Sequence, residues 1–420
     1  MRYTWRLFCA GLILSGCAST FNPPSRIASP STAQNLANDV YADAHLHTSN
    51  YAYQGVSLKT LIDHYMGSRV QRSTVMPIPL QQKWEASEHY ADDKVAPNYY
   101  LGPKGELYYY AFADAMVARE YEKLSQADKA RLDLMITGFN PMDLYATNHI
   151  KRVLLSFPGV FSGIGEFTIH KELVSKKVAG QPFKQVTKEA LPSDIRGNDT
   201  LTLHNPSLIN IFNLSAEIGL VATLHNDIYE TDIQSDGTVT KHSSTHTYIK
   251  DLIQLCKASP KTNVIWAHTG LGRYVKPTVD HLERVATILD ACPNWSVDIS
   301  WDLVQNVIVK PEPGMPSLQS WVHFMKRYQD RILWGSDTVM YSKNSVDTHG
   351  HATSGARLST TDYQAVIDIT QPLWNALGPT ISKKIKILNY ERLFNTARSK
   401  VRYWEKTHAN DDVWALSNSK

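Results

Sequence analysis

From about residue 39 onward, short apolar, β-branched runs alternate with longer stretches whose apolar positions recur at helical spacing. This is the alternation of βα units around a parallel sheet. Eight runs have strand character: residues 40–47, 73–80, 152–157, 161–167, 220–225, 263–268, 295–300 and 331–337. Helical spacing marks 205–218, 246–258, 278–291 and 361–377. The first of these opens on Asn205-Pro206, a capping residue followed by a proline whose missing N–H is not needed in a first turn. Eight strands with intervening helices predict an α/β fold, a closed (β/α)8 barrel of the TIM type.

The second connection, residues 81–151, is far longer than an ordinary βα link. It carries an aromatic-rich segment, 99–110, and a stretch, 113–135, that reads as helical. A long insertion after strand 2 is therefore expected, either as a lid over the upper face of the barrel or as surface packing. The loop 171–202 is a second lid candidate. No internal repeat or coiled-coil heptad is present.

With 43 basic and 40 acidic residues, the formal charge of the 420-residue chain is only +3, and no basic run is concentrated enough to bind nucleic acid. The 43% hydrophobic content supplies a large single core. Before the alternation begins, Arg2 and Arg6 precede a short apolar stretch, 7–14, and then Leu14-Ser15-Gly16-Cys17. That ending resembles the bacterial lipobox, in which the cysteine is lipidated and becomes the first mature residue. The expected organisation is a signal segment 1–17 with lipidation at Cys17, a flexible tether 18–38, a barrel domain 39–400 and a C-terminal extension 401–420. The expected location is the bacterial cell envelope, lipid-anchored on the periplasmic or extracellular side of a membrane. Cys256 and Cys292 then remain at corresponding ends of the helices before strands 6 and 7, as a bridge or as two separately buried thiols.

Candidate chemistry gathers at the strand ends. Asp43-Ala44-His45-Leu46-His47 closes the first run, and side chains two apart share one face, so His45 and His47 aim at one spot in a metal-ligand arrangement. Glu166 closes the fourth run, His225 the fifth, His268 the sixth and Asp337 the eighth. A barrel collects its strand C-termini on one rim, so these residues become neighbours. Imidazoles and carboxylates buried at the ends of apolar runs need partners, and a divalent cation supplies one. Asp43 is placed either to orient a ligand imidazole or to make a buried structural contact. Arg273, just past Thr269-Gly270-Leu271-Gly272, is a candidate for binding an anionic substrate group, or a solvated arginine at a helix start. His64, His89, His149, His242, His246, His281 and His323 lack matching partners and read as structural or exposed.

This residue set and its order resemble the amidohydrolase-related (amidohydrolase 2) branch of the amidohydrolase superfamily, over about residues 41–395. The stretch from His204-Asn205-Pro206 to His225 resembles that family's helix entering strand 5, and Ile387-Leu388-Asn389-Tyr390-Glu391-Arg392-Leu393-Phe394 its closing helix. The resemblance implies that His45, His47, His225 and Asp337 bind metal, and that His268 binds a second metal or acts as a catalytic base. Glu166 would bridge two metals or orient ligands. The implied cofactor is one or two divalent ions, zinc by family habit, although manganese, iron and nickel accept the same ligands. Asp337 would take a proton from water and pass it to the leaving group, while His268 stabilises the oxyanion or assists proton transfer. The expected partner is a small-molecule substrate, and the expected reaction is hydrolysis of an amide, ester or lactone-like bond. The alternatives are a non-oxidative decarboxylase of the same superfamily and a catalytically inactive binding lipoprotein.

Overall fold

A computed structural model describes residues 39–51, 54–82, 107–171, 202–233, 239–272, 276–340 and 360–416. The chain divides into the units Met1–Asp39 and Val40–Lys420, and the account below concerns the second. Cys17 and the tether, residues 83–106 of the expected insertion, loop residues 172–201 and Arg273 lie outside the described residues. Among the described residues, no helix is long and apolar enough to cross a membrane.

Eight parallel strands hydrogen-bond in sequence order: Tyr41–Asp43, Val70–Val75, Leu132–Ile136, Phe161–Thr168, Val221–His225, Asn263–Trp266, Trp295–Asp298 and Ile332–Leu333. They are numbered 1 to 8 here. The ring closes just beyond the ends of strands 1 and 8, where Leu46–His47 pairs in parallel with Thr338–Val339. Ala44 N–H donates to Trp334 O at 3.0 Å, and Asp337 N–H to His45 O at 2.7 Å. The Asp43 carboxylate, fully buried, adds to this seam by accepting from Ser336 N–H (2.9 Å), Ser336 Oγ (2.6 Å) and Tyr363 OH (2.8 Å). Asp43 is thus a structural clamp, and among the described residues it reaches His45 only through that residue's backbone N–H, at 3.0 Å, and not through its ring.

Strand 3 corrects the sequence reading. Residues 152–156 of that run fall in the helix Ala146–Ser156, with Phe157 just past its end, and the helix's buried positions Ile150, Val153 and Leu154 sit at helical spacing on one face. The true strand, Leu132–Ile136, had been absorbed into the expected helix 113–135; that stretch instead holds helices Phe112–Glu122 and Gln126–Ala130 and then the strand. Within the second connection, Leu80–Gln82 also pairs antiparallel with Leu107–Tyr109. The expected helix 246–258 begins at Ile249, because Val239–Thr247 pairs with Tyr229–Ile233.

The barrel interior is a small apolar cluster built from Ala42, Ala44, Met76, Met135, Val221, Ile265 and Leu333. Tyr390, Leu393, Phe394 and Ala397 of the helix Asn389–Thr407 join it and plug the end opposite the strand C-termini. A larger apolar shell fills the space between the strands and the surrounding helices. At the plugged end the fully buried Asp133 accepts from Arg72 Nη2 (2.7 Å), Arg398 Nε (2.6 Å) and Tyr390 OH (2.8 Å).

Cys256 and Cys292 are disulfide-bonded, with α-carbons 5.9 Å apart, which settles the open choice in favour of a bridge. The bond closes a sequence separation of 36 residues. Constraining an unfolded loop of that length contributes ~4 kcal/mol in the chain-entropy account. Reduction, or replacement of both cysteines by alanine, is expected to lower stability by about 2–4 kcal/mol in denaturant melts, with metal content unchanged.

Fully buried His281, beside Tyr229 OH at 3.0 Å, has its pKa pushed down by burial from 6.5 to about 3. The folded state then refuses a proton that the unfolded chain accepts below the ordinary histidine range. Stability is therefore expected to fall as pH drops from ~6.5 towards ~3. A His281→Gln variant should show a shallower loss of melting temperature across that window; parallel pH profiles would remove His281 from the account.

Candidate metal centre

The local backbone delivers six side chains to one point on the upper rim. His45 and His47 follow strand 1, Glu166 lies in strand 4, His225 ends strand 5, and His268 and Asp337 stand just past strands 6 and 8. Gly335 has to be glycine-sized, because a Cβ there would lie 2.8 Å from His45 Cβ and 2.9 Å from Ser300 Cβ. His268 (φ 56°), Thr269 (φ 55°) and Asp337 (φ 50°) adopt left-handed conformations, which cost roughly 1 kcal/mol or more each and persist where surrounding contacts impose them. Such contacts are present: His268 N–H donates to Asp298 Oδ1 at 2.8 Å, and Thr269 Oγ1 to Asp298 O at 2.8 Å.

Hydrogen bonding fixes the tautomers. His47 Nδ1 lies 3.1 Å from Met76 O, which can only accept, so the proton sits on Nδ1 and the Nε2 lone pair is free. That Nε2 faces Asp337 Oδ1 at 3.2 Å and Glu166 Oε2 at 3.3 Å. His45 Nδ1 donates to the Asp298 carboxylate at 3.0 Å, directing its Nε2 towards Asp337 Oδ1 (3.5 Å) and Glu166 Oε2 (3.8 Å). His268 Nδ1 lies 2.7 Å from Ser300 Oγ, and its Nε2 faces Glu166 Oε1 at 3.7 Å and Asp337 Oδ2 at 3.8 Å. His225 is turned the other way: Nδ1 meets Glu166 Oε1 at 2.5 Å, and Nε2 donates to Asp227 Oδ1 at 3.2 Å.

The electrostatics follow from burial and crowding. Burial opposes charge on His45, but the Asp298 carboxylate overrides it and holds the pKa well above the histidine range. His47 and His225 are likewise raised against burial, His47 by Asp337 and Glu166, and His225 chiefly by Glu166. His268 is lowered, first by burial and further by the neighbouring imidazoles. Glu166 and Asp337 are buried, which alone would raise them. Lys171 and His225 instead hold Glu166 well below the carboxylate range, and His268, His47 and His45 do the same for Asp337.

Lone pairs from imidazoles and two carboxylates thus converge, and a common cation is the partner that such a set of acceptors lacks. The Nε2 atoms of His45 and His268 are buried without a hydrogen-bond partner among the described residues. Three overlapping groups have ligand atoms within 4.8 Å of one another: His45–His47–Glu166, His45–His268–Asp337 and Glu166–His225–His268. The donor set fits a divalent ion, and Glu166, with Oε2 towards His45 and His47 and Oε1 towards His225 and His268, spans two halves.

All six residues expected from sequence, His45, His47, Glu166, His225, His268 and Asp337, are together. Sequence reasoning missed Asp298 and Ser300 at the end of strand 7, Asp227 behind His225, and Lys171, whose Nζ lies 3.6 Å from Glu166 Oε1. A signal existed for Asp298, which lies near the end of the seventh apolar run, 295–300, and ends the observed strand.

No family model matches the sequence, and no curated protein matches it. Among solved structures, the chain is similar to a probable 2-pyrone-4,6-dicarboxylic acid hydrolase of Acinetobacter baumannii, with 11% identity, 84% of this chain and 99% of that chain covered, and TM-score 0.46. It is similar to an amidohydrolase of Burkholderia multivorans, with 11% identity, 85% and 99% coverage and TM-score 0.43. It is also similar to the 2,6-dihydroxybenzoate decarboxylase of Rhizobium, with 13% identity, 85% and 98% coverage and TM-score 0.42. Likeness at this level assigns neither family nor reaction, and the barrel rests on its own strand order and register.

Proposed function

We propose that the protein is a divalent-metal-dependent hydrolase, with zinc the expected ion, acting on an amide, ester or lactone-like bond of a small molecule. The observation that carries this reading is the convergence of imidazole lone pairs and two carboxylates, with the tautomers of His45 and His47 set by acceptors behind them. A divalent ion bound there lowers the pKa of water towards neutrality and polarises a carbonyl. The side chains supply the rest. Asp337, 14% exposed against 8% for Glu166, is the more accessible carboxylate and is suited to take a proton and return it to the leaving group. His268, with Nδ1 directed at Ser300, presents a lone pair and acts as ligand or base; donating to an oxyanion would need a second proton, which its burial opposes. The same reading keeps Cys17 as a lipid anchor in the bacterial cell envelope, supported by the lipobox-like Leu14 to Cys17.

The test is turnover of a panel of amides, esters, lactones and aromatic carboxylates before and after chelation. Hydrolysis abolished by chelator and restored by zinc supports the proposal. Carbon dioxide release from a carboxylate would replace it with decarboxylation, and turnover indifferent to chelation would overturn it. Glu166→Gln is expected to reduce metal from about two ions per chain to about one if the carboxylate bridges, as metal analysis will report.

A further inference from the structure

We propose that Asp298 is a positioning residue shared by both halves of the metal centre, acting directly on His45 and through Ser300 on His268. The inference rests on the metal-centre reading above. Asp298 Oδ2 lies 3.0 Å from His45 Nδ1. Its other oxygen, Oδ1, accepts three bonds: from His268 N–H at 2.8 Å, Ser300 N–H at 3.1 Å and Ser300 Oγ at 2.5 Å. Because the Ser300 hydroxyl proton goes to a carboxylate, its oxygen is left to accept, so His268 Nδ1, 2.7 Å away, must carry the hydrogen between them. One carboxylate thereby dictates that His45 and His268, which share a group with Asp337 and each belong to one further group, both turn Nε2 lone pairs inwards. It also holds the left-handed turn at His268 through that residue's amide.

Substituting asparagine tests the point, since an amide offers one acceptor and one donor end. Two of the donors on the Oδ1 side are backbone N–H groups that cannot reverse, so the amide oxygen must face them. The amide NH2 then meets His45 Nδ1, and the imidazole proton is driven to Nε2, where it blocks the lone pair. Ser300→Ala leaves His45 alone and frees the His268 tautomer, whereas Ser300→Thr retains the hydroxyl.

Two readouts are used on the full-length protein. In chelator-treated protein with 15N-labelled histidine, two-bond NMR spectra should show a proton on Nδ1 of both His45 and His268, with His45 losing its Nδ1 proton and keeping one on Nε2 in Asp298→Asn. In zinc titrations against a competing chelator, Asp298→Asn should weaken binding by about 10–100-fold. Ser300→Ala should weaken binding at the His268 half alone, and Ser300→Thr should restore it. Unchanged tautomers and zinc affinity in a folded Asp298→Asn protein would overturn the assignment. If Asp298→Asn does not fold, equal affinities for Ser300→Ala and Ser300→Thr would do so. A wild-type protein that binds no zinc but has the stated tautomers would sink the proposed function and leave Asp298 as the group that sets both rings.

Discussion

A His45→Ala, His47→Ala double variant is expected to purify without stoichiometric metal and to lose at least ~1,000-fold in kcat/KM, about 4 kcal/mol of transition-state stabilisation. The two imidazoles occupy one side of the cluster, with Nε2 atoms 3.2–3.8 Å from oxygens of Glu166 or Asp337. Removing both leaves the His45–His47–Glu166 group with one ligand and the His45–His268–Asp337 group with two, too few to retain a cation on that side. Metal analysis of the purified variant decides the matter, and full occupancy would show that the ion lies elsewhere. The fold should survive, because the backbone of residues 44–47 keeps its hydrogen bonds to strand 8 and the segment beyond it whatever side chains it carries.

The largest effect on stability is expected at the other end of the barrel. Asp133→Ala should cost about 3–5 kcal/mol, because it strips a common partner from Arg72, Arg398 and Tyr390. The lower figure is favoured, since the two arginine side chains are 14% and 28% exposed and water partly compensates them. Metal content should remain at the wild-type level. A denaturant midpoint within error of wild type would mean that the plug helix Asn389–Thr407 docks through its apolar face alone.

Asp133 also marks where the sequence was hardest to read. Leu132–Ile136 is a fully buried strand with a carboxylate in second place, and that residue resembles solvent-facing helix chemistry until three distant donors are brought to it. The run 152–157 failed in the opposite direction, since its apolar residues satisfy a short strand pattern as well as one face of a helix. The ligands were legible for a different reason. Each stands at or just past the end of an apolar run, and the barrel topology alone brings such ends together. Asp298 lies near the end of a run as well, but only the distances to His45, His268 and Ser300 distinguish it from any other aspartate at a strand end. The cysteine bridge depended on an α-carbon spacing that no sequence pattern encodes.

The closure of the ring bears on when the protein can be assembled. Asp43 and Ser336, whose contact locks the first strand to the last, are 293 residues apart. During synthesis His45 and His47 emerge early, and they wait for almost the whole chain before Asp337 arrives to complete their cluster. Whatever partial structure the leading βα units attain on the way, the full ligand set does not exist until the final strand has docked. On the proposed metal-centre reading, metallation is therefore a late step in the life of the chain. If the chain is exported unfolded, the ion is drawn from the compartment in which folding finishes, and the metal supply there determines which cation the site receives.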